Sequence, residues 1–223
     1  MAIVSKDSLL GNVTGRIGPV VLRKWYGLKI AQSIPGFTKK ETKSLKQLKR
    51  HAIFKLIEYF CNESHLSHVF DLGYQQPKRS AMTVYNRVAS YHMLEGITGE
   101  YPDYSLNLSK LKFSFPIRKM DNAWKPSFVS KPDLYLEVNW ELNPFPEKTT
   151  HLDDMLCVVF YDSTRKLFFT NNTTALRSAQ TFTRRYKIRE TAGHEVHCWM
   201  FFVSADKTYV SDTKYLGMVE MLA

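Results

Sequence analysis

The residue types that could bind a metal ion come closest together at His194, His197 and Cys198. Imidazole nitrogen and thiolate sulfur are zinc ligands, and a structural site needs about four of them converging on one ion. This stretch is predicted to be a strand, in which successive side chains point to opposite faces of the sheet. His197 and Cys198 therefore cannot share one ion, and we predict no metal site here.

Two further pairs have residue types that occur in catalytic or metal sites. His65 and His68 have the spacing that places two side chains on one face of a helix, but the sequence identifies no third ligand. Asp153 and Asp154 begin a predicted strand and are expected to cap a loop rather than to act as acid and base. No G-x-S-x-G, P-loop or G-x-G-x-x-G pattern occurs. We therefore predict that the protein is not an enzyme and needs no cofactor.

The three cysteines, Cys61, Cys157 and Cys198, are an odd number without C-x-x-C spacing, so no disulfide framework is predicted. Cys157 and Cys198 are expected to be reduced, apolar neighbours on adjacent inner strands. The first residues lack the pattern of a secretory signal, and no stretch has the roughly 18 apolar residues of a membrane-spanning helix. We expect a protein without a signal peptide or membrane span, located in the cytoplasm or within an assembled particle.

The positive charge of the chain is concentrated near its start. The formal net charge is +10, and the first 50 residues contain 11 Lys and Arg against two Asp and Glu. Such a cluster suits a polyanionic partner, which would be nucleic acid, an anionic membrane surface or an acidic protein face. A solvated basic surface that keeps the protein soluble accounts for the same composition.

A glycine-punctuated stretch near the start is predicted to form a β-hairpin. Val20–Trp25 and Leu28–Ser33 are rich in apolar and β-branched residues, and a two-residue turn ending in Gly27 separates them. Gly27 is expected to adopt a positive φ, and alternation places Ile30 and Lys29 on opposite faces. Because an isolated hairpin is marginally stable in water, it needs cover from the rest of the chain or from a partner.

Two helices are predicted to follow the hairpin. A capping-box pattern begins at Thr38, and apolar residues at helical spacing continue to about Phe60. A second helix is predicted over Lys78–Glu95, ended by Gly96, with a short helical turn at His65–Phe70 between the two. We expect the helix pair to pack beside the hairpin.

Beyond Leu106 the apolar period changes to two, which is typical of strands. Leu134–Leu142 alternates between apolar and polar residues and includes Trp140, a predicted core residue. Met155–Tyr161 and Val196–Val203 are apolar throughout, as in central strands. About seven such strands without intervening helices predict a sandwich of the immunoglobulin or fibronectin type III kind.

The predicted fold class is therefore α+β, with an N-terminal β-hairpin and two helices followed by an Ig/fibronectin type III-like β-sandwich. We predict a basic hairpin-plus-helices module over residues 1–105 and the Ig-like β-sandwich over residues 106–223.

Several motifs spread along the chain resemble those of one family. They are GRIGPVV from Gly15, WYG from Trp25, ITGEYPDY from Ile97, VH from Val196, FVS from Phe202 and YLG from Tyr215. In these motifs the sequence resembles the bacterial domain-of-unknown-function 6266 family. The resemblance implies a Gly-rich N-terminal hairpin and helices that precede an Ig-like sandwich, and it implies no enzyme activity because the family has none assigned. Leu22-Arg23 departs from the smaller residue expected there.

Function is predicted at the level of binding. The leading hypothesis is a non-enzymatic structural or interaction protein whose basic arm, Arg16 to Arg50, docks into a larger assembly such as a phage-type virion or another multiprotein complex. The expected partner is a protein or further copies of the chain in a homo-oligomeric assembly. The alternative is a nucleic-acid-binding protein that contacts phosphates through the hairpin and the first helix. The residues predicted to contact a protein partner or a polyanion are Arg16, Arg23, Lys24, Trp25, Lys29, Lys39, Lys43, Lys46, Lys49 and Arg50.

Overall fold

The computed structural model describes residues 2–3, 13–25, 27–34, 36, 42–63, 66–76, 82–171, 174–186 and 192–222. Within these residues the helices are α1 (Leu45–Cys61), α2 (Ser67–Gly73) and α3 (Val84–Glu95). The strands are β1 (Ala2–Ile3), β2 (Gly15–Ile17), β3 (Val20–Trp25), β4 (Leu28–Ser33), β5 (Ile97–Thr98), β6 (Ser105–Leu106), β7 (Trp124–Lys131), β8 (Tyr135–Glu141), β9 (Met155–Asp162), β10 (Leu167–Thr170), β11 (Thr181–Arg185), β12 (Glu195–Val203) and β13 (Lys214–Glu220).

Strands β7 to β13 form a β-sandwich, as the sequence predicts. One sheet has the strand order β10-β9-β12-β13 and the other β11-β8-β7, and all neighbouring pairs are antiparallel. The two sheets enclose an inner core to which β8 contributes the predicted Trp140 together with Leu136 and Val138. Burial of alternate residues on these strands is the main force that holds the sheets together.

The central strands β9 and β12 are buried on both faces. Val158 and Phe160 of β9 point into the inner core, whereas Cys157 and Val159 belong to a second, outer core beneath the helices. This double burial explains why the two strands read as continuous apolar runs rather than as an alternating pattern. The helices, the sheet β10-β9-β12-β13 and the sheet β11-β8-β7 thus form three packed layers.

The helices pack on the sandwich, and their expected packing beside the hairpin stays a prediction. The ring of Phe60 on α1 lies 5.5 Å from the ring of Phe168 on β10 and 6.0 Å from that of Phe113. Neither core contains a described residue of β1 to β4. The division into modules at residue 105 stays a prediction, but the helices share the outer core with the sandwich.

Helix α1 begins later than the sequence pattern predicts. Ser44 is its N-cap, because the Ser44 hydroxyl accepts a hydrogen bond from Gln47 N while the Gln47 side chain accepts one from Ser44 N at 2.9 Å. This reciprocal capping box competes with the similar pattern at Thr38, which lies outside the described residues. Residues 42–44 are not helical, so α1 begins at Leu45 and Lys43 precedes it, whereas the predicted start near Thr38 falls outside the described residues.

Helix α3 is also shorter than predicted at its start, whereas its end is confirmed. Thr83 caps it by accepting a hydrogen bond from Asn86 N at 3.0 Å, so the helix begins at Val84. Lys78 lies outside the described residues, and Gly96 ends the helix as predicted. His65 lies outside the described residues, and the rest of the short turn predicted at His65–Phe70 corresponds to α2, so the described residues contain three α-helices.

The three cysteines are free and buried. Cys157 and Cys198 lie on the adjacent strands β9 and β12, where they pair in register with Phe201 and Phe160, respectively. Their side chains point to opposite faces, because Cys157 belongs to the outer core and Cys198 to the inner core. The expectation that the two thiols are neighbours is therefore wrong.

Candidate functional site

The predicted hairpin is formed by β3 and β4 and lies within a four-stranded sheet of order β1-β4-β3-β2. Trp25 pairs with Leu28 across the turn, and Gly27 has a φ of +76°, a conformation that glycine adopts without strain. We call this the hairpin sheet. Strands β1 and β2 pair with the two edges of the hairpin, and a sheet of more than two strands is more stable than an isolated hairpin.

The register of the hairpin sheet places its cations on both faces. Arg23 and Trp25 share one face with Arg16, which is paired with Val21. The Arg23 guanidinium lies 5.6 Å from the centre of the Trp25 ring, within range of a cation–π interaction. On the other face, Lys24 and Lys29 lie directly opposite each other. Either face could therefore meet an anionic partner.

The apolar residues of the hairpin sheet are also divided between its faces. Leu22 is paired with Ala31 on one face, whereas Ile30 is paired with Arg23 on the other, and both Leu22 and Ile30 are buried. Ile17 at the edge is half exposed. The prediction that Ile30 and Lys29 point to opposite faces is confirmed by this register.

The first two turns of α1 project away from the outer core. Residues 45–51 are all exposed, including Leu45 at 59% and Leu48 at 38% of their full accessible surface. Burial begins only further along, and Ile57 and Phe60 are fully enclosed. The first half of the helix therefore carries an apolar stripe that no described part of the chain buries.

Most of the ten predicted contact residues are exposed. Trp25 and seven of the cations, namely Arg16, Arg23, Lys24, Lys43, Lys46, Lys49 and Arg50, are exposed, whereas Lys29 is partly buried. Lys39 lies outside the described residues. The Lys43 ammonium lies 3.2 Å from His51 Nδ1. The structure groups these residues in two sets, one on the hairpin sheet and one at the start of α1.

The histidine cluster is not arranged around a common point. His197 Nδ1 and the Tyr215 hydroxyl share a hydrogen bond of 2.7 Å on the outer side of β12, whereas Cys198 points into the inner core. The predicted opposite orientation of His197 and Cys198 is thus confirmed. Across the described residues, no group of three or more His, Cys, Asp or Glu side chains is arranged to hold a metal ion.

His194 instead belongs to a hydrogen-bonded network centred on Asp162. The buried Asp162 carboxylate accepts hydrogen bonds from His194 Nδ1 at 2.8 Å and from the Tyr186 hydroxyl at 3.1 Å. It also accepts from the backbone N–H groups of Thr164 and Arg165 in the turn after β9. Although burial opposes ionisation, the hydrogen bonds from His194, Arg165 and Tyr186 hold the pKa of Asp162 below its usual value. The network connects the turn after β9 with Tyr186 and His194 at this end of the sandwich.

Sequence reasoning missed a second buried network at the opposite end. Arg177 Nε donates to Asp154 Oδ2 at 2.9 Å, and the guanidinium lies 3.9 Å from the centre of the Phe202 ring. Its other nitrogens donate to the carbonyl oxygens of Asp121 and Asn122. Asp154 was recognised as a capping residue, but no pattern in the sequence links it to a partner 23 positions further on.

Comparison with known proteins identifies the family to which the chain belongs. The chain belongs to a family of unknown function, DUF6266, whose family model matches residues 12–217. The resemblance read from the sequence motifs is thereby confirmed. No curated protein matches the chain.

Two solved structures show a distant likeness in fold. The fn3 domain of the human collagen alpha-1(XX) chain is 9% identical, and the similarity covers 49% of this chain and 91% of that chain with a TM-score of 0.35. A cytokine receptor complex is 10% identical over 54% of this chain and 56% of that chain, with a TM-score of 0.32. Among the described helices, none has both the length and the apolar character needed to span a bilayer.

Proposed function

We propose that the chain is a non-enzymatic interaction protein that docks into a larger protein assembly through its basic arm. The arm consists of the hairpin sheet and the first half of α1, and the sandwich with its helices is the rigid body that carries it. This assignment of a binding role to the arm and a supporting role to the sandwich follows the predicted layout, in which a hairpin and helices precede a β-sandwich.

The observation that carries the proposal is the exposure of residues 45–51. Leu45 and Leu48 lie on the apolar stripe of α1, and burial of one leucine side chain stabilises a protein by about 1.5–3 kcal/mol. Leaving both in water forgoes that stabilisation. Exposed apolar residues rimmed by polar ones are a feature of surfaces that bind other proteins. A helix that continues beyond its own core offers such a stripe to a groove on a partner.

The charges around the stripe favour a partner with an acidic surface. Lys46, Lys49 and Arg50 are exposed on the same two turns as Leu45 and Leu48. Cations at the rim of an interface speed association and exclude wrong partners more than they add affinity. We therefore expect the leucines to contribute most of the affinity and the cations most of the salt dependence.

Affinity purification of the full-length chain from cells that produce it tests this proposal. The double variant Leu45→Ser/Leu48→Ser should lose the proteins that co-purify with the wild type. Leu94→Ser is the matched control, because Leu94 is also a helical leucine and is 80% exposed on α3. Unchanged recovery of the same partners by the double variant would contradict the proposal.

A second candidate function, binding of single-stranded nucleic acid, is favoured by the pairing of Arg23 with Trp25. A cation beside an exposed aromatic ring offers a phosphate contact and a stacking platform for a base. Binding through several Lys and Arg should weaken steeply as salt increases. A gel-shift titration with wild type and the double variant Arg23→Ala/Lys24→Ala measures this. If the wild type binds neither DNA nor RNA at low salt, this second function fails.

A further inference from the structure

Three loops meet at the end of the sandwich that lies opposite the Asp162 network. They are residues 142–154 between β8 and β9, residues 174–180 before β11, and residues 204–213 between β12 and β13. Arg177 N donates to the Asp154 carbonyl at 2.8 Å, and Ser178 N donates to the Leu152 carbonyl at 3.0 Å. We call this surface the loop end. Backbone hydrogen bonds thus fix two of its loops to each other.

Phe145 is the most exposed large apolar residue of the loop end, with 87% of its surface accessible. It lies between Pro144 and Pro146, which restrict the backbone on both sides. Asn143 Oδ1 accepts a hydrogen bond from Phe145 N at 2.9 Å, and Asn143 Nδ2 donates to Asp121 Oδ2 at 3.1 Å. Because the loop is already fastened, binding through this ring loses little conformational entropy.

Further apolar side chains are exposed on the same loops. Leu152 is 59% exposed, and Leu142 and Leu176 are also exposed. Leu152 and Leu176 come from the two loops that the Ser178–Leu152 hydrogen bond joins. Large exposed apolar residues gathered on one surface mark it as an interaction site.

An acidic pocket of about 340 Å³ lies at the loop end, and Leu152 comes between two of its lining residues, His151 and Asp153. Asp153, Asp154 and Asp206 line it, together with His151 and Ser204. Arg177 neutralises Asp154, but the Asp154 Oδ1 atom is buried and has no hydrogen-bond partner. Within the described part of the chain, Asp153 and Asp206 take part in no ion pair. The pocket therefore offers negative charge to a cationic group.

Hydrogen bonds stabilise the ionised form of the Asp206 carboxylate. Its Oδ1 accepts hydrogen bonds from the Ser204 hydroxyl at 2.6 Å and from Thr208 N at 3.0 Å. These hydrogen bonds lower the pKa of Asp206 to about 2. The negative charge of the pocket consequently persists over the whole physiological pH range.

We infer that the loop end binds the first half of α1 from a second copy of this chain. The inference rests on the proposed function of the basic arm and names its partner. Leu45 and Leu48 match the apolar residues around Phe145 and Leu152, whereas the cations beside them match the acidic pocket. The two surfaces complement each other in both apolar character and charge.

The first half of α1 is exposed in its own copy, so it does not occupy the loop end of the same chain. Contact between copies then joins two different surfaces, and such a head-to-tail interface forms either a closed ring or an open chain of copies. The inference therefore predicts self-association whose extent increases with concentration.

Sedimentation velocity of the full-length chain over a range of concentrations tests the inference. Phe145→Ser/Leu152→Ser and Leu45→Ser/Leu48→Ser should each weaken self-association about 30-fold, as truncation of an interface hot spot does. All four residues are exposed, so neither variant should unfold the protein. Leu94→Ser should associate like the wild type.

Mixing the two double variants gives a sharper result. One retains an intact loop end and the other an intact first half of α1, so the mixture should form only one-to-one dimers although neither associates alone. If each surface bound only a copy of itself, mixing the two variants would not produce this pattern. Failure of the mixture to associate would overturn the inference.

Charge reversal tests the acidic pocket separately. Asp153→Lys and Lys49→Glu should each weaken self-association about tenfold, and mixing or combining them should restore part of it, because the reversed pair is again of opposite sign. Lys166→Glu, in the turn after β9 at the other end of the sandwich, should have no effect. Equal weakening by Lys166→Glu would overturn the assignment of the pocket.

The outcomes distinguish the inference from the proposed function. If the wild type does not self-associate, the inference is wrong, but the proposed function stands provided that Leu45 and Leu48 are still needed to retain another protein. If Leu45→Ser/Leu48→Ser leaves every complex intact, both are wrong.

Discussion

Arg177 and Asp154 form a buried ion pair in which Arg177 Nε lies 2.9 Å from Asp154 Oδ2. Only 6% of the Arg177 side chain and none of the Asp154 side chain is accessible to solvent. The pair joins the start of β9 to the segment before β11, and the guanidinium also packs on Phe202 of β12. Arg177 therefore connects the start of β9, the segment before β11 and strand β12 at the loop end.

We predict that Arg177→Ala lowers the free energy of unfolding by about 3–5 kcal/mol, because it leaves the buried Asp154 carboxylate without its counter-charge. Urea denaturation measures the change. Lys119→Ala is the control, since Lys119 pairs with Asp212 at a similar distance of 3.0 Å on the exposed surface and should contribute less than about 1 kcal/mol. Equal losses in the two variants would show that burial of the Arg177 pair does not matter.

A second prediction concerns the pH dependence of stability. His92 is fully buried, and burial lowers the pKa of its imidazole from 6.5 to about 4. Its Nε2 accepts a hydrogen bond from Lys112 N at 3.1 Å, and its Nδ1 donates to the Val88 carbonyl at 2.8 Å, so the ring is neutral in the folded protein.

Between pH 6.5 and 4 the unfolded chain therefore binds a proton at His92 that the folded chain does not. The free energy of unfolding should fall as the pH decreases through this range, by about 3 kcal/mol in total from this residue. Denaturation at a series of pH values measures the slope. His92→Gln, which cannot titrate, should have a clearly shallower slope, and an unchanged slope would exclude His92 as its source.

A third prediction concerns Gly73 at the end of α2. A Cβ atom at this position would overlap the carbonyl oxygen of Phe113 and approach Ser114 Cα to 2.9 Å. Because backbone atoms cannot turn away as a side chain can, Gly73→Ala should destabilise the protein by about 2–3 kcal/mol. Gly36→Ala meets no atom within 4 Å and should change stability by less than about 1 kcal/mol. Thermal unfolding of both variants compares them.

A fourth prediction concerns the thiols. Burial raises the pKa of both Cys61 and Cys157 to about 12, and that of Cys198 well above its usual value. Because the thiolate is the reactive form, iodoacetamide at mildly alkaline pH should not label the native chain, whereas it should label all three cysteines in denaturant. Mass spectrometry counts the added groups. Rapid labelling of the native protein would show that the cores open readily.

The sandwich could be predicted from the sequence because its pattern is local. The alternation around Trp140 and the apolar runs of β9 and β12 follow directly from burial on one face or on both. Strand β7 escaped prediction because Pro126 and a shift of register between Trp124 and Ser127 interrupt its alternation.

The tertiary packing of the helices and the position of the α1 N-cap could not be predicted in this way. An apolar helix stripe shows that one face is buried but not against what, so the packing of Phe60 on Phe168 was not foreseen. Two capping patterns occur near the start of α1, at Thr38 and at Ser44, and the structure shows that Ser44 is the N-cap. The basic residues of the arm were identified by composition, but the exposure of Leu45 depends on where the body of the protein ends.

Site-specific photo-crosslinking tests the central claim, that the first half of α1 is a docking surface, most directly. A photoreactive amino acid would replace Leu48, with Leu94 as the control position of similar chemistry. We predict that the Leu48 position forms a crosslink of discrete mass to a protein, which would be this same chain if the loop end is the partner, and that the Leu94 position does not. Absence of a crosslink at Leu48, or the same products at both positions, would contradict the claim.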